Sequence, residues 1–146
     1  MSEFADGVVE RYKADYDDEL CISFSSDNQE VANVDTSHLG NALKNLIDNA
    51  IKYSVEKADI SVACYKENNY ICISVKDCGI GIPKEFRKRL FEKHFRVPTH
   101  KSLPRTGFGL GLSYVQIVAQ AHGGDVTVKS EYKKGSEFII TLPLTK

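Results

Sequence analysis

Between residues 39 and 51 the apolar side chains Leu39, Ala42, Leu43, Leu46, Ile47, Ala50 and Ile51 recur at a spacing that gathers them on one broad helical face. A helix with so wide an apolar face must bury it, and packing on a sheet is the expected arrangement. The opposite edge is unusual. Asn41, Asn45 and Asn49 follow at i, i+4 and i+8 with Lys52 beside them, so carboxamides and an ammonium line up along residues 41–53. Asparagine is a mediocre helix former because its side chain competes for backbone hydrogen bonds. The row is either a tolerated solvent face or a working edge. Neutral amide oxygens hold a hard cation such as magnesium without trapping it, and a lysine reaches phosphate as a point charge.

Composition narrows the setting. The chain has 146 residues, 42% of them hydrophobic, and a net charge of -1, which describes one soluble globular domain with a real core. No basic excess points to nucleic acid, and no apolar run approaches the roughly 20 residues of a membrane span. Glu3, Asp6 and Glu10 interrupt any signal-peptide core. Cys21, Cys64, Cys72 and Cys78 lack C-x-x-C spacing and read as buried free thiols.

Along the chain, Phe4, Ala5, Val8, Val9 and Tyr12 predict a first helix over 3–15, leading in from something upstream. Residues 20–24 and 31–34 predict an early hairpin, and residues 35–37 supply caps for the asparagine helix, which should end near Ser54. Alternation over 59–65 and 70–76 predicts an antiparallel hairpin, and it delivers the chain to Asp77-Cys78-Gly79-Ile80-Gly81-Ile82-Pro83. Pro83 suits the first turn of a helix that Glu85 to Leu90 continue. Residues 97–106, with two prolines and no periodicity, predict a mobile loop. Gly107, Gly109 and Gly111 then open a helix beginning near Leu110 and stopped by His122-Gly123-Gly124, and strands over 125–130 and 136–142 close the chain.

Glycines before a helix can aim backbone N–H groups at phosphate, although such spacing also arises in simple turns. It is neither a Rossmann fingerprint nor a Walker A loop, since no parallel βαβ unit and no G-K-[ST] accompany it. Asp77 is either a turn residue or a carboxylate that accepts from an exocyclic amine such as that of adenine, with Gly79 and Gly81 admitting a flat base.

Together the motifs N-L-I-D-N-A-I-K-Y-S (45–54), D-C-G-I-G-I-P (77–83), L-F-E-K-H-F-R-V (90–97), G-F-G-L-G-L (107–112), and H-G-G with G-S-E-F (122–124, 135–138) resemble one family across about residues 31–143. That family is the ATP-binding catalytic domain of bacterial sensor histidine kinases, in the superfamily of gyrase B, heat-shock protein 90 and mismatch-repair ATPases. The resemblance implies an α/β (α+β) two-layer sandwich of Bergerat type: a mixed, mostly antiparallel sheet, helices on one face and a mobile ATP lid over 97–106. It implies ATP and Mg2+ as cofactors. By resemblance Asn49 coordinates the metal, Asn45 lies along the phosphates and orders the metal's water, and Lys52 contacts phosphate. Tyr53 sits beside adenine, Asp77 reads its amino group, and Gly79, Gly81 and Ile82 border the base. Arg96 reaches toward the terminal phosphate, Phe91 and Phe95 anchor the loop, and Gly107, Gly109, Leu110 and Gly111 form the turn at the lid's end.

Superfamily members that hydrolyse ATP place a glutamate at the position of Asn45, and an amide cannot take a proton from water. The resemblance therefore implies a chain that holds ATP and donates its γ-phosphate. Phe108 stands where the family usually has a small residue. No histidine among His38, His94, His100 and His122 has the sequence context of a phosphoacceptor. The expected partners are a dimerisation and histidine-phosphotransfer domain of the same parent and a response-regulator receiver domain, with no nucleic acid and no direct membrane contact. Residues 1–16 are expected to continue from that upstream domain, with the catalytic domain over 17–146, cytoplasmic beneath a parent anchored in the inner membrane. The alternatives are a freestanding anti-sigma-factor-type serine kinase, disfavoured by Asn45, and a nucleotide-sensing module without transfer activity.

Overall fold

The computed structural model describes residues 2–16, 20–26, 32, 34–54, 58–92 and 111–144. Its elements are α1 (Ser2–Tyr16), β1 (Leu20–Ser26), α2 (Thr36–Lys52), β2 (Ala58–Glu67), β3 (Tyr70–Asp77), a 3-10 helix (Lys84–Arg89), α3 (Gly111–Ala121), β4 (Asp125–Glu131) and β5 (Gly135–Pro143). The strands form one sheet in the order β1-β2-β3-β5-β4. β1 runs parallel to β2, and every other pairing is antiparallel.

The helices take one face of that sheet, as the pattern of apolar residues requires. Leu39, Ala42, Leu43, Leu46, Ile47 and Ala50 of α2 are buried, against Ile60 and Val62 of β2 and Ile71, Ile73 and Val75 of β3 in the same core. Ala5, Val8, Val9 and Tyr12 bring α1 into that core, and Val115, Val118 and Ala119 bring in α3. Each buried Leu or Ile contributes about 1.5–3 kcal/mol, so α2 alone supplies a large part of the hydrophobic stabilisation.

Local chemistry sets the helix ends. Asp35 caps α2, its Oδ1 accepting the N–H groups of Ser37 at 3.0 Å and His38 at 3.1 Å. These bonds, that of His38 foremost, hold the Asp35 carboxyl below its ordinary value. α3 closes in a Schellman motif: Gly123 at φ 82° donates to Gln120 O at 3.0 Å, and Gly124 donates to Ala119 O at 2.9 Å. His122 ties this end to the start of α2. Its Nδ1 lies 2.8 Å from Val118 O, and its Nε2 accepts the N–H of Asp35 at 2.8 Å.

Three expectations need correction. Among the described residues the early hairpin is not formed: β1 lies along the open edge of β2 in parallel, Leu20 opposite Ala58 through Ser26 opposite Cys64. Ala32 and Val34 are in no strand and pack partly against the core, while Val31 and Asn33 lie outside the described residues. Parallel neighbours need a crossover, and α2 provides it. Residues 84–89 form a 3-10 helix, with Pro83 extended at ψ 140° before it and Phe86 N–H bonded to Pro83 O at 3.0 Å. Of the cysteines only Cys64 and Cys72 are buried; Cys21 and Cys78 are exposed, because β1 is an edge strand and Cys78 follows the end of β3. Among the described residues no helix is long and apolar enough to cross a membrane.

Candidate functional site

The C-terminal half of α2, the loop that leaves β3 and the β4–β5 hairpin meet at one end of the sheet. α2 contributes Asn45, Asn49 and Lys52, all half-buried, followed by its C-cap Tyr53. Asn41 does not join them. It is exposed and lines a groove of about 600 Å³ with Phe4 and Arg11 of α1 and Lys44 of α2, so the asparagine row divides between two surroundings. The Lys52 ammonium lies 5.8 Å from the centroid of the Tyr53 ring. Gly111, the first residue of α3, sits over Asn45: a Cβ there would lie 3.7 Å from the Asn45 amide oxygen. The two helices therefore put the start of α3 beside the middle of the amide edge.

Asp77 ends β3 with its side chain on the core face. It is 7% exposed, and its Oδ1 accepts the N–H of Gly79 at 2.8 Å. Burial pushes its carboxyl above the ordinary carboxylate value, and the backbone N–H groups of Gly79 and Ser136 pull it part of the way back. A buried carboxylate with so few donors has acceptor capacity left for a ligand N–H.

The loop after Asp77 is clamped from both sides. Ile80 N–H donates to the Tyr53 carbonyl at 3.2 Å, and Ile80 O accepts from Lys133 N–H at 2.5 Å. Ile82 N–H donates to Ser130 Oγ at 2.8 Å. The Arg87 guanidinium bonds to the Ser130 carbonyl, securing the 3-10 helix to β4. The glycines answer to these clamps. A Cβ on Gly79 would lie 2.4 Å from Tyr53 O, and Gly81, at φ 70°, would place one 2.1 Å from Glu131 O. Both positions demand glycine because of the protein's own backbone, a reason that the expectation of space for a flat base had not included. Gly135, at φ 115°, presses on Asp77 O in the same way.

The structure thus brings Asn45, Asn49, Lys52, Tyr53, Asp77, Gly79, Gly81, Ile82 and Gly111 to one end of the sheet. Arg96, Gly107, Gly109 and Leu110, with Phe95, Phe108 and the 97–106 lid, lie outside the described residues. Sequence reasoning passed over Ser130 and Ser136. Ser136 stood inside the G-S-E-F motif, but its place opposite Asp77 appears only in the strand register.

Among the described residues no group of three or more His, Cys, Asp or Glu could hold a metal ion. A cation here would take few protein ligands and keep water and ligand oxygens, the habit of magnesium, and the half-buried amide of Asn49 suits it. His38, on the first turns of α2, pairs through Nδ1 with Tyr114 Oη at 3.0 Å, a helix-to-helix contact away from this end.

Comparison with known proteins speaks to the family and the fold. The family model described as histidine kinase-, DNA gyrase B-, and HSP90-like ATPase matches residues 34–146. Sensor protein RprX of Bacteroides fragilis is 43% identical over 114 residues, which are 77% of this chain and 22% of RprX. The chain spans about a quarter of the length of the curated relatives it matches, 22% and 25% for the first two. Among solved structures, the mycobacterial sensor histidine kinase MprB superposes with a TM-score of 0.84 at 29% identity, covering 99% of this chain and 95% of MprB. Full-length ShkA in complex with AMPPNP gives 0.84 at 26% identity, covering 99% of this chain and 30% of ShkA.

Proposed function

The chain belongs to the histidine kinase-, DNA gyrase B-, and HSP90-like ATPase family, and on that premise we propose that it binds Mg-ATP and serves as the phosphate-donating domain of a two-component sensor kinase. The observation that carries this reading is the buried Asp77 carboxylate at the end of β3, with the loop that follows it bonded to Tyr53 at the C-cap of α2, the helix of the half-buried amide edge. The Asp77 carboxylate accepts the exocyclic N–H of the base, while Tyr53 and Ile82 supply its apolar surroundings. Asn49 ligates magnesium, Asn45 orients the phosphates and the cation's water, and Lys52 and Arg96 neutralise phosphate charge. Gly111 begins α3 beside Asn45, at the phosphate end. Magnesium, when bound, neutralises phosphate charge; the chain's part is to position and to exclude water.

Asn45 separates transfer from hydrolysis. A carboxamide has no basic oxygen to remove a proton from water, so bound ATP waits for another acceptor. That acceptor is a histidine on a helical dimerisation domain of the parent, onto which α1 continues, and a response regulator then receives the phosphate. The parent is anchored in the inner membrane with this domain on the cytoplasmic side.

Calorimetry with a non-hydrolysable ATP analogue, with and without magnesium, tests the reading on the natural chain, Asn49→Ala and Asp77→Ala. The expected result is magnesium-dependent binding in the natural chain that both substitutions abolish while circular dichroism shows them folded. A folded natural chain that binds no nucleotide overturns it.

A further inference from the structure

The N-terminus of α2 is capped from two places, one of them distant in the chain. Asp35 Oδ1 takes the N–H groups of Ser37 and His38, as an N-cap carboxylate does. The N–H of a capping residue is commonly met by a glutamate or glutamine three residues on. Here that position is His38, and its Nδ1 lies 3.0 Å from Tyr114 Oη of α3 instead. The Asp35 N–H is left for His122, whose Nε2 accepts it at 2.8 Å across 87 residues of chain.

The tautomer of His122 follows from its two bonds. Nε2 accepts and so carries no hydrogen, and Nδ1, 2.8 Å from the Val118 carbonyl, must carry it. The local bond to Val118, one helical turn back, thus fixes the ring state that the distant bond requires. The H-G-G segment does more than stop α3.

Where α3 begins gives the contact a consequence. α3 meets α2 at Gly111 beside the Asn45 amide, at Tyr114 on His38, and at His122 on Asp35. Gly111 and Tyr114 lie within one turn of each other, and His122 lies about two turns further on. Val115, Val118 and Ala119 pack α3 into the core, but apolar contact is non-directional and permits tilt. The bond at the far end sets the direction of the axis. Tilting α3 about Tyr114 moves Gly111 relative to Asn45.

We propose that His122 is a positioning residue for nucleotide binding: its Nδ1–H tautomer clasps the end of α3 to the N-cap of α2 and so keeps Gly111 in place beside Asn45. The inference rests on the nucleotide reading of the site, in which that amide lies along the phosphates.

Asparagine and glutamine separate the two bonds of the ring. An asparagine amide reaches the place of Nδ1 and keeps the bond to Val118 alone, whereas a glutamine amide reaches the place of Nε2 and can accept the Asp35 N–H. Calorimetry with a magnesium-loaded, non-hydrolysable ATP analogue compares the natural chain, His122→Asn and His122→Gln, with circular dichroism to show each folded. His122→Asn is expected to bind about fivefold more weakly, the net worth of one hydrogen bond, and His122→Gln within about twofold of wild type. Coupling is reciprocal, so the analogue should slow hydrogen exchange at the Asp35 amide of the natural chain by the same factor, beyond any change at Ser37, whose amide is bonded inside the cap. Nitrogen NMR of the natural chain should show Nδ1 as the protonated ring nitrogen. A His122→Asn chain that is less stable yet binds with wild-type affinity, a His122→Gln chain that binds as weakly as His122→Asn, the opposite tautomer, or an Asp35 amide that responds no more than Ser37, overturns the proposal. If His122→Asn does not fold, the exchange measurement on the natural chain decides. A natural chain that binds no analogue defeats the underlying reading, and the positioning role with it.

Discussion

Replacing Gly79 by alanine separates two reasons for a glycine beside the base. If Gly79 only made room for a ligand, alanine would leave the empty domain intact and weaken nucleotide binding alone. The geometry says otherwise. The added Cβ would stand 2.4 Å from the Tyr53 carbonyl oxygen and 3.0 Å from Asp77 Oδ1, where ordinary contact begins at 3.4 Å. The nearest obstacle is backbone at the C-cap of α2, which cannot rotate aside as a side chain would. Relief requires the loop to move off α2, which breaks the Ile80 to Tyr53 bond of 3.2 Å and loosens the 2.8 Å bond from Gly79 N–H to Asp77. Losing one ordinary and part of one charge-assisted hydrogen bond, with residual overpacking, costs about 2–4 kcal/mol. For a domain of this size that lowers Tm by about 5–15 °C. Urea or thermal unfolding of the nucleotide-free chain is the assay. A Gly79→Ala chain within about 0.5 kcal/mol of wild type, with only nucleotide affinity reduced, would refute the packing argument.

Asp77→Asn keeps the shape and removes the charge, so the bond to a base N–H changes from charge-assisted to neutral; the difference of about 1–1.5 kcal/mol should lower affinity for an ATP analogue about 5- to 15-fold, read by calorimetry. Burial raises the folded-state pKa of Asp77, so its contribution to stability is fully present below the ordinary carboxylate range and is lost as pH rises through the raised value. Nucleotide affinity, which needs the ionised form, should strengthen across that same window above the ordinary carboxylate range. Titrating affinity and unfolding free energy together checks the opposed slopes, and parallel slopes would contradict the assignment. Tyr12→Phe removes the hydroxyl that donates to Asp48 Oδ1 at 2.7 Å, linking α1 to α2. Because Asp48 is exposed, the expected cost in denaturant unfolding is only about 1 kcal/mol, with the ring packing retained.

How much was legible beforehand depended on the range of the interaction involved. Leu39 to Ile51 carry a helical period that names its own buried face, and only Ile51 stays half-exposed. The β2–β3 hairpin and the Gly123-Gly124 stop are likewise local, since a two-residue alternation and a left-handed cap are written in adjacent residues. The partner of β1 was not legible, because nothing within residues 20–26 distinguishes a hairpin neighbour from the edge of a strand that arrives after α2. The cysteines divided for the same reason: alternation assigns a side chain to a face, and only sheet order says which strand lies at the edge.

By itself the sequence determined most of the element types, the amphipathic α2 with its asparagine edge, the acidic end of β3 and the family to which these motifs point, because periodicity, caps and turn residues act over a few bonds; it missed the 3-10 helix after Pro83 and the lack of a strand at Ala32 and Val34. Only the tertiary structure decided that Asn41 leaves the row for another surface, that Gly79 answers to the Tyr53 carbonyl, and that Ser130, Ser136 and Asp77 line up across three strands. Those facts depend on register and close approach between distant segments, which the packing of the whole core sets and no local pattern encodes.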